Sequence, residues 1–478
     1  MPNVSPGRPF NSIGGDNYPL PSPADRTAAE LQRSGLFGSG PSRRKKHMAV
    51  NTRLIQRRRR PGGLLTSTGA RLKQVIDETG QPLLTLDEIV VRTADLGGRS
   101  DDYRVAPMSD FLEGYHLIGK EVKQLQGRVT LLSNPKLTTG ELALAVEELR
   151  LAGYQASMNQ VEPLGYVTKG DPRETGPEPT RRRKPKRPRR EDPPKREITV
   201  AVIDTGFSTQ PRSDRWLDGI TPAAADIDPL YEVKPAKGDG LGEFDYCAGH
   251  GTFVAGVVRQ VAPAATVLVR RAIGQDGIGF DVDVAIAMLQ AFDAGADIIN
   301  LSLGTEMPHD QPPVATMVAL EIIGERLAAD PERDVVVVAA AGNNASSRPV
   351  FPAAFSGMPQ LRVPVVAVAG LSVDLEPADF SSRGFWITCS TTAECVLAPF
   401  VRGRETKEID RHAPDVFTGE DPWAVWSGTS FATPQISGAI ALRCQEADER
   451  PRDALAWLLT RGPKVPDYGT ALEILPSR

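Results

Sequence analysis

From residue 197 onward the chain repeats one pattern, a near-continuous apolar run rich in Val and Ile followed by apolar residues at helical spacing. The runs are EITVAVID, ATVLVRRAI, ADIINLSLG, RDVVVVAAAGN and VPVVAVAG, with GTFVAGVVRQVA, FDVDVAIAMLQAFDAG and VATMVALEIIGERLAA between them. A strand with one face in water alternates apolar and polar residues; a strand covered on both faces does not. Covered strands alternating with helices require a mostly parallel sheet, so residues 197–478 are expected to form one large α/β domain.

The chain upstream has a different texture. Residues 1–63 are rich in Pro, Gly, Ser and Arg without a sustained period, and are expected to be disordered. Residues 64–167 read as a small α+β domain. Its strands are LDEIVVRTA, GRVTLLS and YQASMNQVEPL, and its helix is TTGELALAVEELRLAG (138–153), opened by Thr138 or Thr139 and closed by Gly153. Residues 168–196 are a basic, proline-rich linker, expected to be extended and solvated. No internal repeat is present.

Composition narrows the function classes. Net charge is −4, yet basic residues cluster in RRKK (43–46), RRRR (57–60) and RRRKPKRPRR (181–190). Those runs lack the interleaved aromatics that stack on bases, so nucleic acid is not the expected partner, although a nucleic-acid-associated protein using its basic linkers stays an alternative. No run of about 18 apolar residues occurs, so no membrane span is expected. The first residues lack the apolar core of a secretory signal, and cytoplasmic residence is the expectation. Four cysteines, at 247, 389, 395 and 444, are too few for a disulfide-built fold, and Cys389 and Cys395 are expected to be two thiols. Nothing in the sequence indicates an oligomeric state.

In an open parallel sheet, sites form beyond the carboxyl ends of the strands. ITVAVID ends there in Asp204, before a Thr205–Gly206 turn, and INLSLG ends in Ser302, Leu303 and Gly304. VVVVAAAGNN ends in Gly342 and Asn343. CAGHGTFVAGVV sets His250 between two glycines at the start of an apolar helix, where glycine permits close backbone approach. WSGTSFATPQISGAIAL places Ser430 where a small polar loop meets a helix, with Pro434 four residues on. A helix cap explains that serine alone, and Pro434 suits a first turn. A nucleophile needs partners, and the chain supplies them. His250 is the base, Asp204 its orienting acid, and the Asn343 amide with the Ser430 N–H an oxyanion site.

On these motifs the region 197–478 resembles the subtilisin-like serine proteases, the subtilases. AVIDTG, GHGTFVAG and GTSFATPQISG match the family's Asp, His and Ser motifs, and INLSLG, AAGN, FPAAF and VVAVAG…ADFSSRG match the intervening segments in order. The resemblance implies a three-layer domain with a mostly parallel sheet. It implies an endopeptidase with Asp204, His250 and Ser430 as triad, Asn343 as oxyanion donor, an acyl-enzyme intermediate and a polypeptide substrate. Substrate backbone would lie along Ser302, Leu303 and Gly304. Gly342 and Val350, two residues before Pro352, would complete the first pocket. Many relatives carry glycine at the Val350 position, so the pocket is expected to favour small or medium apolar residues before the scissile bond. No cofactor is implied, no calcium loop of the usual secreted type is recognisable, and no metal ligand is assigned.

Phe253, Phe431 and Gln435 depart from the residues usual in the family. Between Asp204 and His250 stand eight acidic and four basic residues, read as a solvated face or as an acidic rim favouring basic substrates. Residues 64–167 occupy the place of a propeptide that inhibits intramolecularly. In that reading NQVEPLGYVTKG lies across Ser302–Gly304, and activation follows a cut in 168–196. The alternatives are an adaptor domain in that position and a catalytically silent peptide-binding scaffold.

Overall fold

The structure, a computed structural model, describes residues 73–76, 82–96, 108–160, 176–180, 184–185, 193–231, 241–245, 247–274, 277–405 and 413–475. The basic runs at 43–46 and 57–60, most of 181–190, and the tail of NQVEPLGYVTKG lie outside the described residues.

The N-terminal unit runs β1 (Lys73–Ile76), β2 (Pro82–Arg92), α1 (Met108–Gly114), β3 (Ile118–Glu121), β4 (Val129–Ser133), α2 (Thr139–Leu151) and β5 (Ala156–Gln160). Its strands form one antiparallel sheet. Helix α2 opens on Thr138, which forms a reciprocal cap with Glu141: Thr138 Oγ1 accepts from Glu141 N (3.2 Å) while Glu141 Oε2 accepts from Thr138 N (2.7 Å). Leu142, Ala145, Val146 and Leu149 of α2 bury against Ile89, Val91, Leu132 and Met158. Val90 and Val129 point the other way, into the core of the larger unit. Because successive strand residues face opposite sides, the IVV run of β2 is apolar throughout: both faces are covered.

The larger unit continues with β6 (Glu178–Pro179), β7 (Thr199–Asp204), α3 (His250–Val261), β8 (Thr266–Arg271), α4 (Asp281–Asp293), β9 (Ile298–Leu301), β10 (Thr305–Glu306) and α5 (Val314–Ala329). Then follow β11 (Val336–Ala340), β12 (Val350–Phe351), β13 (Val365–Leu371), β14 (Cys389–Thr392), β15 (Val396–Pro399), β16 (Gly403–Arg404), β17 (Val416–Phe417) and β18 (Trp423–Trp426). Helices α6 (Thr429–Ala447) and α7 (Pro451–Leu458) and the strands β19 (Lys464–Val465) and β20 (Gly469–Leu472) complete it. The main sheet has the order β19-β20-β14-β13-β11-β9-β7-β8, parallel except at the β19 edge. Ala201, Ile203, Ile299, Leu301, Val337 and Ala339 face the core under α4 and α5. Their neighbours Val200, Val202, Ile298, Val336 and Val338 face the core under α3 and α6. Two cores, one on each side of a parallel sheet, make the three layers that the apolar runs require.

The small unit docks on α4 and α5. Arg92 makes a two-pronged pair with Glu321 (2.8 and 2.6 Å), and Arg128 does the same with Glu325 (2.8 and 2.6 Å). The first amide of α5, Val314 N, donates to Ser157 Oγ at 3.3 Å, and the next two donate to the buried Asp281 at 2.8 Å each. A helix N-terminus leaves such amides without intrahelical partners, so a residue of the small unit shares in capping a helix of the large one.

The linker departs from expectation. Glu178 and Pro179 pair antiparallel with Val425 and Ala424 of β18, Gly176 and Pro177 are buried, and Lys195 N donates to Gln445 O at 3.0 Å. An open strand edge offers unpaired backbone groups, and even a charged, proline-rich segment satisfies them when tethered beside it. Cys389 and Cys395 are not bridged. Among the described residues no helix is long and apolar enough to cross a membrane.

Candidate active site

Asp204 closes β7, and its side chain is fully buried. Its Oδ1 accepts from Thr205 N at 2.7 Å and meets His250 Nδ1 at 2.8 Å. A buried carboxylate against Nδ1 holds the ring proton there and leaves Nε2 as the basic nitrogen.

The glycines beside His250 have separate duties. Gly249 sits at φ 78°, and a Cβ on it would lie 2.6 Å from Val401 Cγ2. A Cβ on Gly251 would strike the Gly206 carbonyl and lie 3.2 Å from Asp204 Oδ1. Without a side chain at 251 the helix end reaches the carboxylate. The imidazole is boxed by Trp426, edge-on at 5.3 Å between ring centroids, and by Phe431 at 5.2 Å, which in turn packs on Phe253 at 4.7 Å. The two phenylalanines that depart from the family pattern thus form one apolar wall around the His250 ring.

Ser430 is the second residue of α6; the cap position is Gly428, which makes no side-chain cap bond, so the simple cap reading fails. Its Oγ donates to the Ser302 carbonyl at 3.1 Å. Pro434 is also corrected: it stands beyond the first turn and withholds the N–H that the Ser430 carbonyl would otherwise accept. The buried Ser302 Oγ donates to that carbonyl instead, at 2.8 Å. Asn300 Nδ2 donates to Ser302 Oγ at 2.9 Å, and Ser437 Oγ to Asn300 Oδ1 at 2.8 Å. Ser302 therefore supports the turn carrying Ser430 with its side chain, a role its position at a strand end did not suggest.

Asn343 follows β11. Its Oδ1 accepts from both Thr429 N and Thr429 Oγ1, each at 2.9 Å, while Gly342 N donates to Thr429 Oγ1 at 3.1 Å. With the amide oxygen committed, Nδ2 is the end left to donate; it lies 3.3 Å from where a Gly428 Cβ would be. Leu303 is buried, and Val350 is wholly so. A Cβ on Gly342 would lie 3.2 Å from both Val350 methyls, and one on Gly304 would lie 3.0 Å from Val350 Cγ1. The Val350 isopropyl group is wedged between the two glycine segments, and the β10–β12 pair (Thr305 with Phe351, Glu306 with Val350) locks it there.

Several contributors escaped sequence reading: Thr205, Thr429, Trp426 and, above all, Asp228. Asp228 Oδ2 accepts from Gly249 N (2.8 Å) and Thr205 Oγ1 (3.2 Å), and Oδ1 from Leu230 N (3.0 Å). Burial pushes its carboxyl up to about 6, against the pull of these donors and of Arg271. Other acids between Asp204 and His250 are engaged internally: Asp214 with Arg212 at 2.7 Å, Asp218 with Arg215 at 3.0 Å and Asp226 with Arg270 at 2.9 Å. Each of these three acids thus has an arginine beside it.

The sequence profile of the Subtilase family matches residues 195–462. A thermophilic serine proteinase of Bacillus sp. (strain AK1) is 31% identical over 255 residues, 51% of this chain and 51% of that protein. Mycosin-3 of Mycobacterium tuberculosis is 29% identical over 289 residues, 51% of this chain and 57% of the other. The chain thus spans about half the length of these two relatives. Fervidolysin from Fervidobacterium pennivorans, a keratinolytic enzyme related to subtilisin, shares the fold with a TM-score of 0.51 at 18% identity, over 82% of this chain and 60% of its own.

Proposed function

The chain belongs to the subtilase family, and from that membership we propose that it is a serine endopeptidase in which Asp204, His250 and Ser430 act as the triad and Asn343 as an oxyanion donor. The carrying observation is the 2.8 Å contact of His250 Nδ1 with the buried Asp204, at the helix end facing the loop of Ser430. In this reading Ser430 Oγ leaves the Ser302 carbonyl, passes its proton to His250 Nε2 and bonds to the scissile carbonyl carbon. The oxygen that gains charge is held by Asn343 Nδ2 and the Ser430 amide, at the positive end of α6. His250 then protonates the departing amine, and water attacks the acyl-enzyme with the same base.

Substrate backbone would lie along Ser302, Leu303 and Gly304, with the next side chain against Gly342 and Val350. The wedged Val350 supports a shallow pocket. On a peptide library, new internal termini should follow small or medium apolar residues; release of single terminal residues alone would contradict an endopeptidase. Val350→Ala should raise the kcat/KM ratio of Phe- over Ala-containing substrates about 10- to 100-fold, the scale of pocket discrimination by a few carbons. It should cost about 2 kcal/mol of stability for the methyls lost from a buried site. An unchanged ratio would place the pocket elsewhere.

The small unit supports an inhibitory role through its place: besides the arginine pairs, Glu147 Oε2 of α2 lies 3.5 Å from His309 Nε2, just after β10. Half-exposed ion pairs hold modestly, so charge reversal is the decisive variant. Arg92→Glu with Arg128→Glu in the full chain should set like charges against Glu321 and Glu325 and raise basal turnover several-fold. Unchanged turnover would favour the adaptor reading.

A further inference from the structure

We propose that Asp228 is a positioning residue of the site, holding the His250 imidazole on Asp204 through Thr205 and the Gly249 amide. The inference rests on the reading of Asp204, His250 and Ser430 as the catalytic set.

The hydrogen bonds around Asp204 form a closed circuit. Thr205 N binds Asp204 Oδ1, His250 Nδ1 meets the same oxygen, and Gly251 N donates to Thr205 Oγ1 at 3.1 Å. Thr205 and Gly251 thereby tie the strand carrying Asp204 to the helix end carrying His250. Asp228 closes on this circuit from a third segment, taking Thr205 Oγ1 and Gly249 N on one oxygen and Leu230 N on the other. Gly206 permits the contact: it sits at φ 100°, and a Cβ on it would lie 2.6 Å from the Asp226 carbonyl.

Proton counting makes the acid specific. Thr205 Oγ1 already accepts the Gly251 amide, so its single proton must go to an acceptor, and Gly249 N needs an acceptor at the same point. A carboxylate oxygen serves both. An amide at 228 cannot serve all three donors. Turned one way, its NH₂ faces Gly249 and Thr205; turned the other, it faces Leu230. Volume is unchanged, so Asp228→Asn alters only the donor pattern and the charge, and Thr205→Val, which leaves the charge in place, separates the two. A triad imidazole tolerates only about 0.5 Å of misplacement, and Asp228 holds Thr205, the residue after Asp204, and Gly249, the residue before His250.

The test uses the full chain. The Nδ1 proton shared by His250 and Asp204 is followed as a low-field ¹H resonance, assigned by its loss in His250→Gln. Labelling of Ser430 by a fluorophosphonate is timed in parallel. Asp228→Asn should shift or broaden the resonance and slow labelling about tenfold, with circular dichroism unchanged. Thr205→Val, which removes the hydroxyl but keeps the amide bond to Asp204, should act in the same direction and decides the matter if the first variant fails to fold. Wild-type resonance and wild-type labelling rate in the folded variants overturn the inference and leave the peptidase reading standing. A displaced resonance in a protein whose wild type never labels upholds the positioning role and removes the peptidase reading instead.

Discussion

Ser430→Ala is expected to abolish turnover of an unfolded protein substrate, lowering kcat by about 10⁶, the loss that removal of the nucleophile causes in subtilisin itself. The structural disturbance should be small. Among the described residues Ser430 Oγ makes one hydrogen bond, to the Ser302 carbonyl, and the helix is held there by other groups: Ser302 Oγ on the Ser430 carbonyl and Asn343 on Thr429. Thermal unfolding should therefore be near wild type while catalysis disappears. Turnover above the uncatalysed level in a folded variant would remove Ser430 from the chemistry. So large a loss without unfolding has no explanation in packing, because the side chain is small and its one partner is a carbonyl.

Asn343→Ala is the second large effect, on the order of 10²–10³ in kcat with little change in KM, as for the equivalent donor in subtilisin. The argument comes from which end of the amide is engaged. Oδ1 receives two donors from Thr429, so the carbonyl end is structural and Nδ2 is left to meet charge developing on the substrate. The alanine variant loses both ends. Asn343→Asp separates them, because it keeps an acceptor for Thr429 and replaces the donor with negative charge. It should match alanine or fall below it in kcat while retaining more stability. A rise in KM at constant kcat would mean that Asn343 binds ground-state substrate and that the oxyanion is stabilised elsewhere.

The sheet was legible because covered strands carry their signature locally: β9, β11 and β13 are buried at every residue, and each reads as an apolar run, broken only by Asn300 in β9. Asp204, His250, Asn343 and Ser430 were legible for a related reason, since each follows a run or opens a helix where a parallel sheet gathers its site. The flanking glycines announced a close approach at His250, but not to what; the Gly206 carbonyl and Val401 are remote in sequence. Pro434 was misread because its meaning depends on the helix start, and one turn separates a harmless proline from one that frees a carbonyl. Ser302 lay in the right motif, but its hydroxyl is committed beneath the Ser430 turn by packing that no strand-end pattern displays. Asp228 had no local signal at all. It is one acid among eight between Asp204 and His250, distinguished only by burial against Thr205 and Gly249. Nor does the linker's charge forecast its strand beside β18, since that pairing answers an edge formed much later in the chain.

The most direct measurement is mass-spectrometric mapping of the full chain after reaction with a fluorophosphonate. An activated hydroxyl beside a base, with an oxyanion site in reach, should take one adduct per chain on the peptide containing Ser430, and His250→Ala should suppress it. No adduct at Ser430, or adducts spread over other serines and indifferent to His250, would contradict the account.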